Sequence, residues 1–128
     1  MRLLLDTHVL LWALLDPGHL RPEAARAIEA ADNEVLVSAV SAWEIAIKQS
    51  LGKLVLPGPA ERWLPAACSA TGLAWLPVDE NAALRVRGLA WHHRDPFDRL
   101  LVAQAGRELT VVTRDPKFAP YGVDVLPA

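Results

Sequence analysis

The chain has 128 residues, 52% hydrophobic and 22% charged, with a formal net charge of −2. That composition describes one globular domain able to bury a core without staples, with no bulk attraction for nucleic acid, so any RNA or DNA contact must rest on a local basic patch. The single cysteine, Cys68, excludes an internal disulfide and a Cys-based zinc site and fits a reducing cytoplasm.

Arg2–Leu5 is a short apolar run, read as a buried strand, and Thr7–Leu15 continues as a helix to the turn signal Asp16-Pro17-Gly18. Asp6 and His8 interrupt the apolar N-terminus, which is not read as a signal peptide, and no run approaches the roughly 20 apolar residues of a membrane span. Pro22–Ala31, rich in alanine, predicts a second helix with proline near its start. Glu34–Val37 is a second strand. Ser38 can cap a helix over Ala39–Leu51, and Gly52 can end it. Ala60–Ala70 reads as a helix that Pro65 must kink or restart. Leu73–Val78 is a third strand, and Asp79 caps a helix to about Gly88. Asp95-Pro96 opens a helix through about Arg107. Thr110–Thr113 is a fourth strand and Val123–Leu126 a fifth. There is no internal repeat, low-complexity tract or dividing linker, so residues 1–128 are read as one domain. Alternation of this kind predicts βαβ units, a parallel sheet and helices on both faces.

Four acids stand out against this pattern. Asp6 ends the first strand, Glu44 lies inside AWEIAI, Asp98 inside DPFDRLLVAQA, and Asp115 follows the fourth strand. Burying an unpaired carboxylate costs several kcal/mol or forces it to neutralise, so carboxylates converging in one fold need a cation between them. In open parallel sheets ligands bind beyond the carboxyl ends of the strands, where these four residues fall. The pattern points to a hard divalent metal and to metal-assisted chemistry on phosphate. Each acid also has a plainer reading. Asp6 can cap the helix that follows it, and Asp115 a short helix begun by Pro116. Glu44, expected on one helix face with Val40, Ile47 and Leu51, can form a buried ion pair. Asp95, Pro96 and Asp98 resemble cap, first and third positions of a helix; Asp95 is assigned the cap and Asp98 the ligand, with Asp95 kept as an additional ligand candidate.

Taken together, LLLDTHVLLW, SAVSAWEIAIKQSLGKL, HHRDPFDRLLVAQA and VVTRDPKF resemble the PIN-domain family, most closely its VapC-like ribonuclease toxins. The resemblance runs over essentially the whole chain, in order, and its specific parts are DPFDRLLVAQA and SAWEIAIK. It implies an α/β PIN-like fold, a five-stranded parallel sheet flanked by helices, and an endoribonuclease using Mg²⁺ or Mn²⁺ held by Asp6, Glu44, Asp98 and Asp115. Thr113 matches a hydroxyl position that accompanies the fourth acid. It also implies RNA as substrate, a homodimer, and a cognate antitoxin whose C-terminal segment crosses the active site. Arg114, Arg99, Arg94, Lys48 and Lys117 are candidate phosphate contacts by sequence proximity to the acids, each weighed against a solvated surface role. His92 and His93 are read as RNA contacts or as an exposed loop. Core packing is expected to account for most of Trp12, Trp43, Trp63, Trp75 and Trp91, with one or two lining a groove.

Two other classes fit parts of the pattern. One is another acidic-site α/β phosphohydrolase, but a haloacid-dehalogenase-type site needs an Asp two residues after Asp6, where His8 stands. A phospho-receiver domain needs a Lys after the last strand, and Val123–Ala128 has none. The other is a non-catalytic binding module on the same fold.

Overall fold

A computed structural model describes residues 1–128. Five strands, β1 (Arg2–Leu5), β2 (Glu34–Ser38), β3 (Ala74–Leu76), β4 (Thr110–Thr113) and β5 (Asp124–Pro127), form one sheet in the order β3-β2-β1-β4-β5. All four pairings are parallel. Six helices flank it: α1 (Thr7–Leu15), α2 (Pro22–Glu29), α3 (Ala39–Ser50), α4 (Ala60–Ala70), α5 (Glu80–Arg85) and α6 (Pro96–Ala105). None is long and apolar enough to cross a membrane.

The sheet is covered on both faces, which is why its inner strands read as unbroken apolar runs. Leu3 and Leu5 point into one core with Val9, Leu10, Ile45 and Leu64, where Cys68 also packs. Leu4 points into the other with Leu36, Leu101, Val111 and Phe118. The chain runs outward from β1 through β2 to β3, then returns to place β4 on the other side of β1. The topological switch therefore lies between β1 and β4, and a parallel sheet opens a ligand crevice beyond the carboxyl ends of its strands at that point.

Several local expectations change. The helix after Asp79 shortens to Glu80–Arg85 and gives way to a 3₁₀ turn over Val86–Gly88. β3 keeps only three residues. α4 runs through Pro65 without a break, because a proline near the start of the second turn removes only one backbone bond. Gly52, with φ of 70°, follows the end of α3 in the left-handed conformation glycine tolerates. The tryptophans depart most: Trp43, Trp75 and Trp91 are exposed, so the core does not account for most of the five. Trp12 and Trp91 instead carry the guanidinium groups of Arg114 and Arg99 on their ring faces, at 4.4 and 3.7 Å.

Candidate metal centre

Asp6 stands at the end of β1, and its backbone N–H donates to Val112 O of β4 at 3.1 Å, tying the two strands at the switch point. Its side chain caps α1: Oδ1 accepts the Val9 N–H at 2.8 Å. Oδ2 accepts the hydroxyl of Thr113, the last residue of β4. The cap reading of Asp6 thus holds through Oδ1, while Oδ2 is held by the Thr113 hydroxyl. Burial pushes the Asp6 carboxyl above its ordinary range, against the Thr113 hydroxyl, the Val9 N–H and His8, while Asp115 adds to the rise.

Thr113 also accepts the Asp115 N–H at 3.0 Å, so one hydroxyl joins the acids that follow β1 and β4. Asp115 Oδ1 accepts the Lys117 N–H at 2.9 Å. Its Oδ2 lies 2.7 Å from Nε2 of His93.

At the start of α6, Asp95 Oδ1 accepts the Phe97 N–H at 2.8 Å and, more weakly, the Asp98 N–H at 3.4 Å. Asp95 is therefore the cap, which leaves the Asp98 carboxylate free of its own helix. Asp98 Oδ2 lies 3.0 Å from the same His93 Nε2. Its carboxyl is pushed up to about 8, first by burial and then by the negative charges of Asp95, Asp6, Glu44 and Asp115.

Glu44 is 3% exposed on α3. The buried face of that helix is Val40, Ser41, Glu44 and Ile45, while Leu51 is 61% exposed, so the face is turned from the expected Val40-Ile47-Leu51 line. Ser41 accepts the buried Thr7 hydroxyl at 2.9 Å, which packs α3 against α1 next to Asp6. Glu44 Oε2 meets Lys48 Nζ at 2.5 Å, one turn along.

Four separated segments thus bring Asp6, Glu44 and Asp115, together with Asp95, near enough to Asp98 for their charges to raise its carboxyl, with Thr113 bonded between Asp6 and Asp115. Lys48 and His93 are the neighbours that meet this charge. The donor set suits a hard cation: carboxylate oxygens from several elements, two of which, Asp6 and Asp98, are raised above their ordinary range by burial. Ligand atoms of His93, Asp98 and Asp115 all lie within 4.8 Å of one another.

The basic candidates divide. Arg114 turns away, donating to Ala128 O and His19 O at 2.9 and 2.6 Å from Nη2 while its guanidinium covers Trp12. Arg99 is 3% exposed and fully engaged with the backbone around it, so it is no phosphate contact. Lys48 is paired to Glu44. Arg94 and Lys117 remain exposed with no ion-pair partner. His92 packs edge-on to Tyr121, 4.9 Å between ring centres. His93, read as an RNA contact or exposed loop, is buried inside the cluster. No periodicity marks a histidine in a connecting segment, so its place was not legible in the sequence. The Lys48 pair was, being four residues after Glu44 on one helix.

The PIN domain family model matches residues 3–123. Ribonuclease VapC16 of Mycobacterium tuberculosis (strain ATCC 25618 / H37Rv) is 47% identical over 47 residues, 37% of this chain and 33% of that relative. The matched stretch thus spans only about a third of the curated relative. Among solved structures, VapBC2 from Rickettsia felis, bound to a DNA fragment from its promoter, matches with a TM-score of 0.69 at 16% identity over 99% of this chain and 98% of that one. VapBC-5 from Mycobacterium tuberculosis, a member of the VapBC family of toxin-antitoxin systems, matches with a TM-score of 0.62 at 23% identity over 99% and 98%. FitAB bound to an IR36 DNA fragment matches with a TM-score of 0.59 at 24% identity over 98% and 94%. At these identities the structural likeness is one of fold.

Proposed function

This chain belongs to the PIN-domain family, and from that premise we propose that it is a metal-dependent endoribonuclease, the toxin of a toxin–antitoxin pair acting in the cytoplasm. The observation that carries the proposal is the convergence of Asp6, Glu44, Asp98 and Asp115 beyond the strand ends of the sheet, where burial first, and then the charges of the neighbouring acids, push Asp98 up to about 8. The curated relative is named a ribonuclease, which supports the activity. Solved neighbours from toxin–antitoxin systems support the pairing.

Asp6, Glu44, Asp98 and Asp115 would hold Mg²⁺ or Mn²⁺. Such an ion activates water and stabilises the leaving oxygen of a phosphodiester. The protein's own part is to hold the acids still. Thr113 fixes the Asp6 carboxylate and the turn carrying Asp115, and the Asp95 cap leaves the Asp98 side chain free for the crevice. Lys48 pairs with the Glu44 carboxylate at 2.5 Å, one turn along α3, and so holds it in place. Exposed Arg94 and Lys117, close in sequence to Asp95 and Asp115, are the side chains available to phosphates on either side of the cut. Unpaired loops are the proposed targets, because unstacked bases are what proteins read most readily in RNA.

Total cellular RNA incubated with the inhibitor-free protein should show discrete cuts with Mg²⁺ or Mn²⁺, none with EDTA, and none with Asp6→Asn. Equal cutting by Asp6→Asn would mean a contaminating nuclease and leave the non-catalytic binding module as the reading. The antitoxin is expected to be a small protein encoded beside this one that co-purifies with it, bound to a homodimer of this chain. Co-expression of the two with a tag on one checks this, and recovery of the tagged protein alone would remove the pairing.

A further inference from the structure

We infer that His93 is a positioning residue of the metal centre: its Nε2–H joins the Asp98 and Asp115 carboxylates, and its ring does not ligate the ion. The inference rests on the metal-centre reading above and deepens it.

The polarity of the hydrogen bonds decides the matter. His93 Nδ1 lies 3.1 Å from the backbone N of Asp95. A backbone amide can only donate, so Nδ1 presents its lone pair and the ring proton sits on Nε2. Nε2 lies 2.7 Å from Asp115 Oδ2 and 3.0 Å from Asp98 Oδ2, and with Nδ1 already accepting from Asp95, Nε2 is the ring nitrogen left to donate to them. One N–H is therefore shared between an acid from α6 and an acid from the turn after β4. In a metal-ligating histidine the second nitrogen donates to a carboxylate or carbonyl; in His93 it accepts. For Nε2 to face a cation the ring would have to become an imidazolate or lose the Asp95 bond. The three-residue cluster of His93, Asp98 and Asp115 has ligand-like spacing but the wrong proton for ligation.

The surroundings hold the ring in that pose. The His93 N–H donates to Tyr121 Oη at 2.9 Å, and Tyr121 Oη donates to Ala90 O at 2.7 Å. The His93 carbonyl accepts from Arg99 Nη1 at 3.3 Å. The ring packs edge-on to buried Phe118, 6.0 Å between centres. A ring fixed from both its backbone ends and one side can set the separation of two carboxylates that would otherwise repel and splay, and so keep their remaining oxygens turned to one point.

The test is Mn²⁺ binding to the RNA-free protein, by calorimetry and by electron spin-echo spectroscopy of the bound ion, for the wild type, His93→Ala and His93→Gln. Glutamine offers an amide N–H at a reach similar to Nε2 and no imidazole nitrogen. Loss of a group that orients metal ligands costs about 10–100-fold in metal affinity. His93→Ala should bind Mn²⁺ weaker by that factor, His93→Gln should recover most of it, and wild-type-bound Mn²⁺ should show no directly coordinated nitrogen. A coordinated nitrogen in the wild type overturns the inference. So does His93→Gln binding as poorly as His93→Ala, or His93→Ala binding as tightly as the wild type. If His93→Ala does not fold, the wild-type spectrum and His93→Gln still decide. A wild type that binds no Mn²⁺ fails differently, since it removes the metal centre itself.

Discussion

Asp98→Asn is expected to abolish cleavage and, in the same metal-free protein, to raise the melting temperature. The two effects have one cause. The Asp98 carboxyl is buried beside Asp95, Asp6, Glu44 and Asp115 and holds its proton up to about pH 8, against 3.8 without these surroundings. Between those values the fold keeps a proton that the unfolded chain has released, so stability falls as pH rises through the window. Below pH 3.8 both states are protonated and the contribution vanishes; above about pH 8 the penalty is complete. An amide of the same shape carries no charge and removes it. Metal-free Asp98→Asn should therefore melt higher than the wild type at pH 8, by roughly 3 °C or more for a domain of this size, with the gap closing towards pH 4. Mg²⁺ should raise the wild-type melting temperature by mass action and leave the variant nearly unmoved. Cleavage should fall at least about 100-fold, the upper range for losing even an indirect partner of a metal site. Thermal melts across pH, with and without Mg²⁺, check the first part. A variant less stable than the wild type at pH 8 would mean that Asp98 is a structural acid, with its charge already met by His93.

The second large effect is expected at Arg99, one residue further along α6. Its guanidinium donates to the carbonyls of Val86, Leu89, Ala90 and His93, at 3.0, 3.2, 2.9 and 3.3 Å, and lies 3.7 Å over the ring of Trp91. It makes no ion pair. It acts as the inner scaffold of the segment from Val86 to His93, which has no regular structure beyond its opening 3₁₀ turn. Arg99→Leu leaves several carbonyls without a donor, and each unsatisfied buried group costs about 1–3 kcal/mol. A total loss of about 3 kcal/mol or more follows, and a melting temperature lower by roughly 10 °C. Arg99→Lys should not rescue it, because one ammonium cannot span a fork of four acceptors. Since the segment ends at His93, Mn²⁺ affinity should fall with stability. Thermal denaturation and Mn²⁺ titration of both variants check this. A destabilised Arg99→Leu that still binds Mn²⁺ normally would show that the segment does not carry the metal site.

Much of the fold was legible because short-range physics governs it. β1 and β4 fall where expected, over Arg2–Leu5 and Thr110–Thr113, because the apolar centres of these strands are buried on both faces of the sheet. The start of α6 follows from Asp95-Pro96, a side-chain acceptor followed by a residue that needs no hydrogen-bond partner. Asp6 was legible as a cap because it stands directly before the apolar run of α1. The helix face of Glu44 was read correctly only in part: counting by three and four placed Leu51 inward, but Ile45 is the buried neighbour. α3 has apolar residues on more than one side, so periodicity alone does not set its rotation.

The basic residues mark the boundary. Arg99, Arg114 and Lys48 stand beside acids in the sequence and were grouped as phosphate contacts on that ground. In the fold Arg114 closes onto His19 and the C-terminal Ala128, Arg99 onto its own connecting segment, and only Lys48 meets an acid. Long cationic side chains find partners several ångströms from their backbone, and which partners lie there depends on how distant segments pack.

The parallel α/β architecture and the caps of α1, α3 and α6 could be read from the chain alone, because strand burial and capping are set by near neighbours in the sequence. The packing of distant segments was needed to place β4 beside β1, to bring His93 into contact with Asp98 and Asp115, and to turn Arg99 onto the backbone. Those outcomes depend on groups brought together across long stretches of chain, where hydrogen-bond polarity and burial are settled by packing.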